Sequence, residues 1–282
     1  MITRTDLALE GITAENLSEG ITQVKRGKAF KITEITISED KHGERIGKKK
    51  GRYVTLEGDP LSGFSEDYKE MVLELAEEVR EFVPSGQVLI IGLGNNDITP
   101  DALGPQVTAK VLATRHLRDE LPDEEEFLTN LRQVSALATG VLGQTGIETA
   151  EIVNAVSERI KPDAVIVIDA LACSDITRLG TTIQISDAGI SPGSGVQNKR
   201  KELSKTSLGV PVVAIGVPTV VDMHTIVQTL SGHEVKSDLP NMMVTPRDVD
   251  KLIERAARLI STAVNMALHP EMSFEDAVAV NS

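Results

Sequence analysis

The chain has 282 residues, enough for one large domain or a domain with an added subdomain. Its formal charge of -13 argues against nucleic-acid or anionic-membrane partners, because repulsion would replace the usual counterion release. A single cysteine, Cys173, excludes an internal disulfide and a cysteine-based zinc site, and an aromatic content of 2% requires an aliphatic core.

The N-terminus, "MITRTDLALEG", has no apolar h-region, and no apolar run is long enough to span a bilayer, so a cytoplasmic protein is expected. Residues 21 to 37 are dense in Ile, Thr and Val and read as β-structure. "GKKKGRYVTLEG" adds a Gly-bounded basic turn and a short strand. After Pro60 the period changes: Tyr68, Val72, Leu75, Val79 and Phe82 share one helical face, and "PSG" at 84–86 ends that helix. A strand at 88–93 leads through a Gly-rich turn to a helix near 105–116, followed by an acidic loop at 119–126. Further strands are expected near 133–138 and at 164–172, 181–187 and 210–218, with helices near 148–160 and over "VDMHTIVQTL". The last long helix is expected to start at Thr245, with Pro246 at its first position and Asp248 completing a capping box. Val249, Leu252, Ile253, Ala256, Ile260 and Val264 form its apolar stripe.

Continuous β-branched runs separated by helices indicate an α/β fold, a mostly parallel sheet with helices on both faces, plus a β-rich N-terminal region. The expected division is a β-rich region over 7–62 packed on the core, an α/β catalytic core over 63–269, and a peripheral tail over 270–282.

In such sheets ligands bind beyond the carboxyl ends of the strands. Two aspartates fall there. Asp101 lies in the loop after strand 88–93, within "GLGNNDITPDALGP", and Asp169 ends the run "AVIVID". If the two strands are neighbours, the carboxylates face one cleft, where proximity raises one pKa and lets the pair share a proton. One can then activate water while the other protonates a leaving group. The alternative is structural: an Asp before a helix commonly caps it, and Asp97 fits that role. The turn "GLGNND" lacks the third Gly of a dinucleotide fingerprint and the lysine of a P-loop, which weakens a nucleotide-binding reading at Gly92 to Gly94. His116, His224 and His233 show no metal-ligand spacing. Cys173 has no base nearby in sequence, Ser194 lacks a nucleophile-elbow context, and "GQTGIET" reads as a loop and N-cap.

These segments together resemble the germination protease family of spore-forming bacteria. The resemblance runs through "RTDLALE", "GKKKGRYVTLE", "GLGNNDITPDALGP", "GQTGIET", "IDALA", "TTIQISDAGISPGSGVQNKRKELS", "GVPTVVD" and "MVTPRDVD". It implies an endopeptidase that initiates degradation of small acid-soluble spore proteins during germination, in the forespore or spore core, as a homotetramer. It implies a fold similar to that of hydrogenase-maturation endopeptidases, with Asp101 and Asp169 as the catalytic pair and neither metal nor other cofactor. It also implies a self-processing zymogen whose substrates are cut after an acidic residue in a Thr-Glu-apolar-Ala context. Thr5, Asp6, Leu7 and Ala8 fit that context with Asp for Glu, so the processing site is expected between Asp6 and Leu7, making residues 1–6 a propeptide. A site so near a chain end is expected to need little local unfolding. Thr33 to Thr36 repeats part of the pattern but is expected inside a strand. A sizeable insertion that longer members carry is replaced by a short connection containing "SGHEVKSDLPN". Two other readings remain. One is a metal-dependent maturation endopeptidase holding an ion on Asp101, Asp169 and His224; the other is a nucleotide-binding regulator.

Overall fold

The β-branched N-terminal segments form a ladder. Ile21–Arg26 (β1), Lys31–Ile37 (β2) and Gly51–Glu57 (β3) pair antiparallel, with Arg26 opposite Ile32 and Lys31 opposite Glu57. A computed structural model describes residues 5–12, 20–117, 131–191, 193, 201–233 and 242–281. Within it the ladder continues into the sheet of Val88–Gly92 (β4), Val134–Ala138 (β5), Ala164–Cys173 (β6), Thr182–Ser186 (β7), Val212–Asp222 (β8) and Met243–Val244 (β9). The order is β1-β2-β3-β7-β8-β6-β4-β5, with β9 beside β8. Thr33 to Thr36 lies in β2, paired on both sides.

The fold is α/β, and the sheet is mixed. The run β5-β4-β6-β8 is parallel, whereas β7 joins β8 and β3 antiparallel. Residues 174–181 are too few for the helical crossover that a parallel return needs, so β7 comes back the other way.

Helices cover both faces. Tyr68–Phe82 (α1), Leu103–Thr108 (α2) and Val249–Leu268 (α5) pack on the face presenting Ile90, Ile166, Ile168 and Ile215. Thr149–Ile160 (α3) covers the face of Leu89, Ile91, Val165 and Val167. Met223–Ser231 (α4) follows β8, and Phe274–Val280 (α6) docks on α5 with Ala277 fully buried. No helix among the described residues is long and apolar enough to cross a membrane.

Two local expectations are corrected. The helix expected near 105–116 runs only from Leu103 to Thr108. Past it, Asn265 on α5 accepts the Leu112 N–H (2.9 Å), and the Thr114 and Arg115 N–H groups both donate to Val134 O, so tertiary partners replace helical ones. The capping box at Thr245 is absent: α5 starts at Val249, and the Thr245 hydroxyl donates to Thr219 O (2.8 Å). The acidic loop at 119–126 and residues 234–241 of the short connection lie outside the described residues.

Candidate active site

Alternation along β6 sets the direction of Asp169. Ala164, Ile166 and Ile168 face the α1/α5 core, while Val165 and Val167 face α3, and Asp169 is the next residue on that second face. Its side chain is buried and its Oδ1 accepts the Ala170 N–H (2.9 Å). Burial pushes the carboxyl well above the ordinary carboxylate range, and the neighbouring charges of Asp101 and Asp6 add to that.

Asp101 reaches the same place from β4. Gly92 at the end of β4 lies opposite Ile168 of β6, so the loop after β4 and the strand position after Ile168 converge. The loop tightens through Gly94, whose φ of +108° and approach to Asp101 O leave no room for a Cβ. Asp101 closes a 3-10 turn, Thr99–Asp101, and its Oδ2 accepts the Asn95 N–H (2.8 Å). The Thr219 hydroxyl on β8 donates to Pro100 O (2.7 Å), which ties the loop to the sheet. Burial raises the Asp101 carboxyl too, partly offset by the Asn95 hydrogen bond. Asp101 and Asp169 therefore face one cavity of about 540 Å³, with Asp6, Lys48 and Gln184 in its wall. Two desolvated carboxyls with raised pKa values can hold one proton between them and exchange it with a bound molecule.

The N-terminal segment borders this cavity at Asp6. It is held, contrary to the expectation of a loose end. The Asp6 N–H donates to Ala172 O (2.9 Å) and the Ala172 N–H donates to Asp6 Oδ2 (2.8 Å), three residues beyond Asp169 on β6. Leu7 is fully buried against Leu171, Cys173 and Val221. Glu10 takes the Ser174 N–H (2.7 Å), the Ser174 hydroxyl (2.6 Å) and the Asp175 N–H (3.1 Å), with Arg178 alongside at 3.7 Å. The Lys48 ammonium donates to Thr5 O (3.0 Å) and Asp6 O (2.9 Å). Gln184 on β7 accepts the Ala8 N–H (2.7 Å) and donates to Asp6 O (3.1 Å).

Lys48 and Gln184 escaped the sequence reading. "GKKKG" marks a basic turn without showing which lysine turns inward, and the only trace of Gln184 is a polar residue between isoleucines in "TTIQIS".

The other candidates lie elsewhere. Asp97 is exposed, its N–H donating to Asn95 Oδ1 (2.9 Å) and its carboxylate accepting from Gln144 (3.1 Å), so it organises the loop. His116 and His233 are exposed, and His224, in the first turn of α4, is not in the cavity wall. Among the described residues no three His, Cys, Asp or Glu side chains come together so as to hold a metal ion. Cys173 is buried and its thiol is pushed up to about 12, chiefly by that burial, as befits a packing residue. Ser194 lies outside the described residues. Next to the Gly92 to Gly94 turn, the Asn95 N–H that could meet a phosphate is taken by the Asp101 carboxyl.

The fold and site thus define an α/β protein that presents one buried and one half-buried carboxyl to its own N-terminal segment. Residues 5–233 match the model of the germination protease family, and the chain belongs to that family. A germination protease of Caldanaerobacter subterraneus subsp. tengcongensis is 41% identical, over 96% of this chain and 95% of the relative. That of Clostridium acetobutylicum is 38% identical over 97% of each chain, and that of Bacillus velezensis 37% over 99% and 96%. The protein is accordingly a peptidase acting on protein substrates. Among solved structures, the NiFe hydrogenase maturation protease HycI of Thermococcus kodakarensis aligns with a TM-score of 0.36 and 19% identity, over 66% of this chain and 98% of that one.

Proposed function

We propose that this peptidase is made as a precursor that cuts itself between Asp6 and Leu7. The processed enzyme then initiates degradation of small acid-soluble spore proteins, acting in the spore core as a homotetramer. Hydrolysis runs on Asp101 and Asp169 sharing one proton. The ionised member takes a proton from water as its oxygen adds to the Asp6 carbonyl carbon. The protonated member delivers its proton to the Leu7 nitrogen as the C–N bond breaks. The products are a carboxyl group on Asp6 and an amine on Leu7, with one water consumed. Asp169, the more deeply buried of the two, is the more reluctant to ionise.

One observation carries this reading. Asp6, within the Thr5 to Ala8 stretch that matches the substrate context, lines the cavity of the two carboxyls, and its charge is close enough to perturb Asp169. The test is mass analysis of the N-terminus during incubation of the purified full chain, with a purified small acid-soluble spore protein as second substrate. Wild type should come to begin at Leu7 and should cut the spore protein after acidic residues. Asp169→Asn should do neither. Processing of Asp169→Asn at the wild-type rate, with no other protease present, would refute the acid pair.

A further inference from the structure

The carboxyl pair accounts for water and for the leaving nitrogen, but not for the carbonyl oxygen. As water adds to the Asp6 carbonyl carbon, the C=O π pair moves onto that oxygen. It returns when the C–N bond breaks and Leu7 leaves as the amine. A negative charge on the oxygen at the cavity wall needs donors already in position.

Two side chains supply them. Lys48 Nζ stands 2.9 Å and Gln184 Nε2 3.1 Å from Asp6 O of the uncleaved segment, so both donors already bond the oxygen on which the charge would develop. Both are held in place. The Lys48 backbone N–H donates to Gly43 O (3.0 Å), the Lys50 N–H to Asp40 Oδ1 (2.7 Å), and the Tyr53 hydroxyl to Lys49 O (2.9 Å), which fixes the loop carrying Lys48. Gln184 sits on β7 between two paired strands, and its amide orientation is set chemically: its oxygen accepts the Ala8 N–H, so its nitrogen must face Asp6 O. That one amide therefore brackets Leu7, from the carbonyl oxygen before it to the N–H after it.

We infer that Lys48 and Gln184 form the oxyanion site of this protease, binding the carbonyl oxygen of the residue before the cut. This assignment rests on the proposed cleavage between Asp6 and Leu7. It divides the work, with Lys48 and Gln184 stabilising the oxygen while Asp101 and Asp169 move the protons. Burial lowers the Lys48 pKa while Asp6 and Glu10 oppose that, so the acidic segment helps keep the ammonium charged where the oxyanion forms. The rival role is simple docking, in which Lys48 only anchors an acidic segment.

Both roles are read in the same purified full chain. Self-cleavage gives a first-order rate from release of residues 1–6, and hydrogen exchange at the Asp6 and Ala8 amides reports docking before the cut. Lys48→Met should slow cleavage by about 100- to 1,000-fold, the scale for loss of one oxyanion donor. Amide protection should fall far less than the rate. Gln184→Glu keeps the acceptor for Ala8 and removes the donor to Asp6, so it should slow cleavage with the Ala8 amide still protected. Lys48→Arg, which keeps charge and donors, should recover part of the rate. Circular dichroism checks folding; if Lys48→Met does not fold, Gln184→Glu and Lys48→Arg decide. Protection lost in proportion to rate, or an unchanged rate in folded Lys48→Met or Gln184→Glu, overturns the assignment while leaving the acid pair intact. Normal cleavage by Asp169→Asn beside slow cleavage by Lys48→Met removes the acid pair and supports the oxyanion site. A wild-type chain that is never cut between Asp6 and Leu7 overturns both.

Discussion

Replacing Leu7 with alanine measures how firmly the N-terminal segment is held. Leu7 is fully buried, in a small cluster with Leu171, Cys173 and Val221 that is separate from the two main cores. Truncating a buried leucine to alanine costs about 2–5 kcal/mol, with the lower end where the surroundings can relax. The small cluster around Leu7 has few neighbours to hold a cavity open, so about 2–3 kcal/mol is the expected loss in docking. At about 1.4 kcal/mol per tenfold, the ratio of docked to undocked segment falls roughly 30- to 150-fold. The amides to watch are those of Asp6 and Ala172, which bridge the segment and β6. In an Asp169→Asn background, which keeps the segment attached, their hydrogen exchange should speed up by about that factor through local undocking. The melting temperature should move much less than the ~4–8 °C expected when 2 kcal/mol is lost from the core of a domain this size. A full core-sized drop in melting temperature with unchanged exchange at those two amides would refute the reasoning, because Leu7 would then belong to the global fold.

Asp101→Asn and Asp169→Asn should each lower turnover of a protein substrate by at least ~100-fold with unchanged circular dichroism, since asparagine keeps the shape but moves no proton. The Asp169 carboxyl also makes stability depend on pH. Its folded pKa lies well above the ordinary value of 3.8, so its contribution is fully present below that value and is lost as pH rises through the folded pKa. Asp169→Asn should therefore melt above wild type at about pH 8, with the gap closing below about pH 4; thermal melts across that range decide it. Exhaustive chelation should leave proteolysis intact, because the proposed chemistry runs on a shared proton. Metal-restored activity with stoichiometric metal by elemental analysis would shift the mechanism to an ion on the carboxyls.

Much of the fold was legible because local patterning and tertiary packing agree. Val88 to Gly92 and Ala164 to Ile168 are continuous apolar runs that read as buried strands, and the stripe Leu252, Ile253, Ala256 and Ile260 reads as the core face of a helix. Asp169 stood out as a charge that interrupts an apolar run, and the structure places it within β6, which continues to Cys173. Asp101 could be placed in the adjoining loop, but its meeting with Asp169 depends on β4 and β6 being neighbours, which periodicity does not encode. Strand direction was also undetermined, since Thr182 to Ser186 reads alike in either sense and only the short connection 174–181 makes it antiparallel. Lys48 and Gln184 come from a turn and a strand far apart in sequence, and they meet at Asp6 O only because β7 carries one of them and the loop before β3 carries the other. Burial and periodicity are local averages written along the chain. The convergence of single polar atoms on one carbonyl is a product of sheet order, which only the folded structure decides.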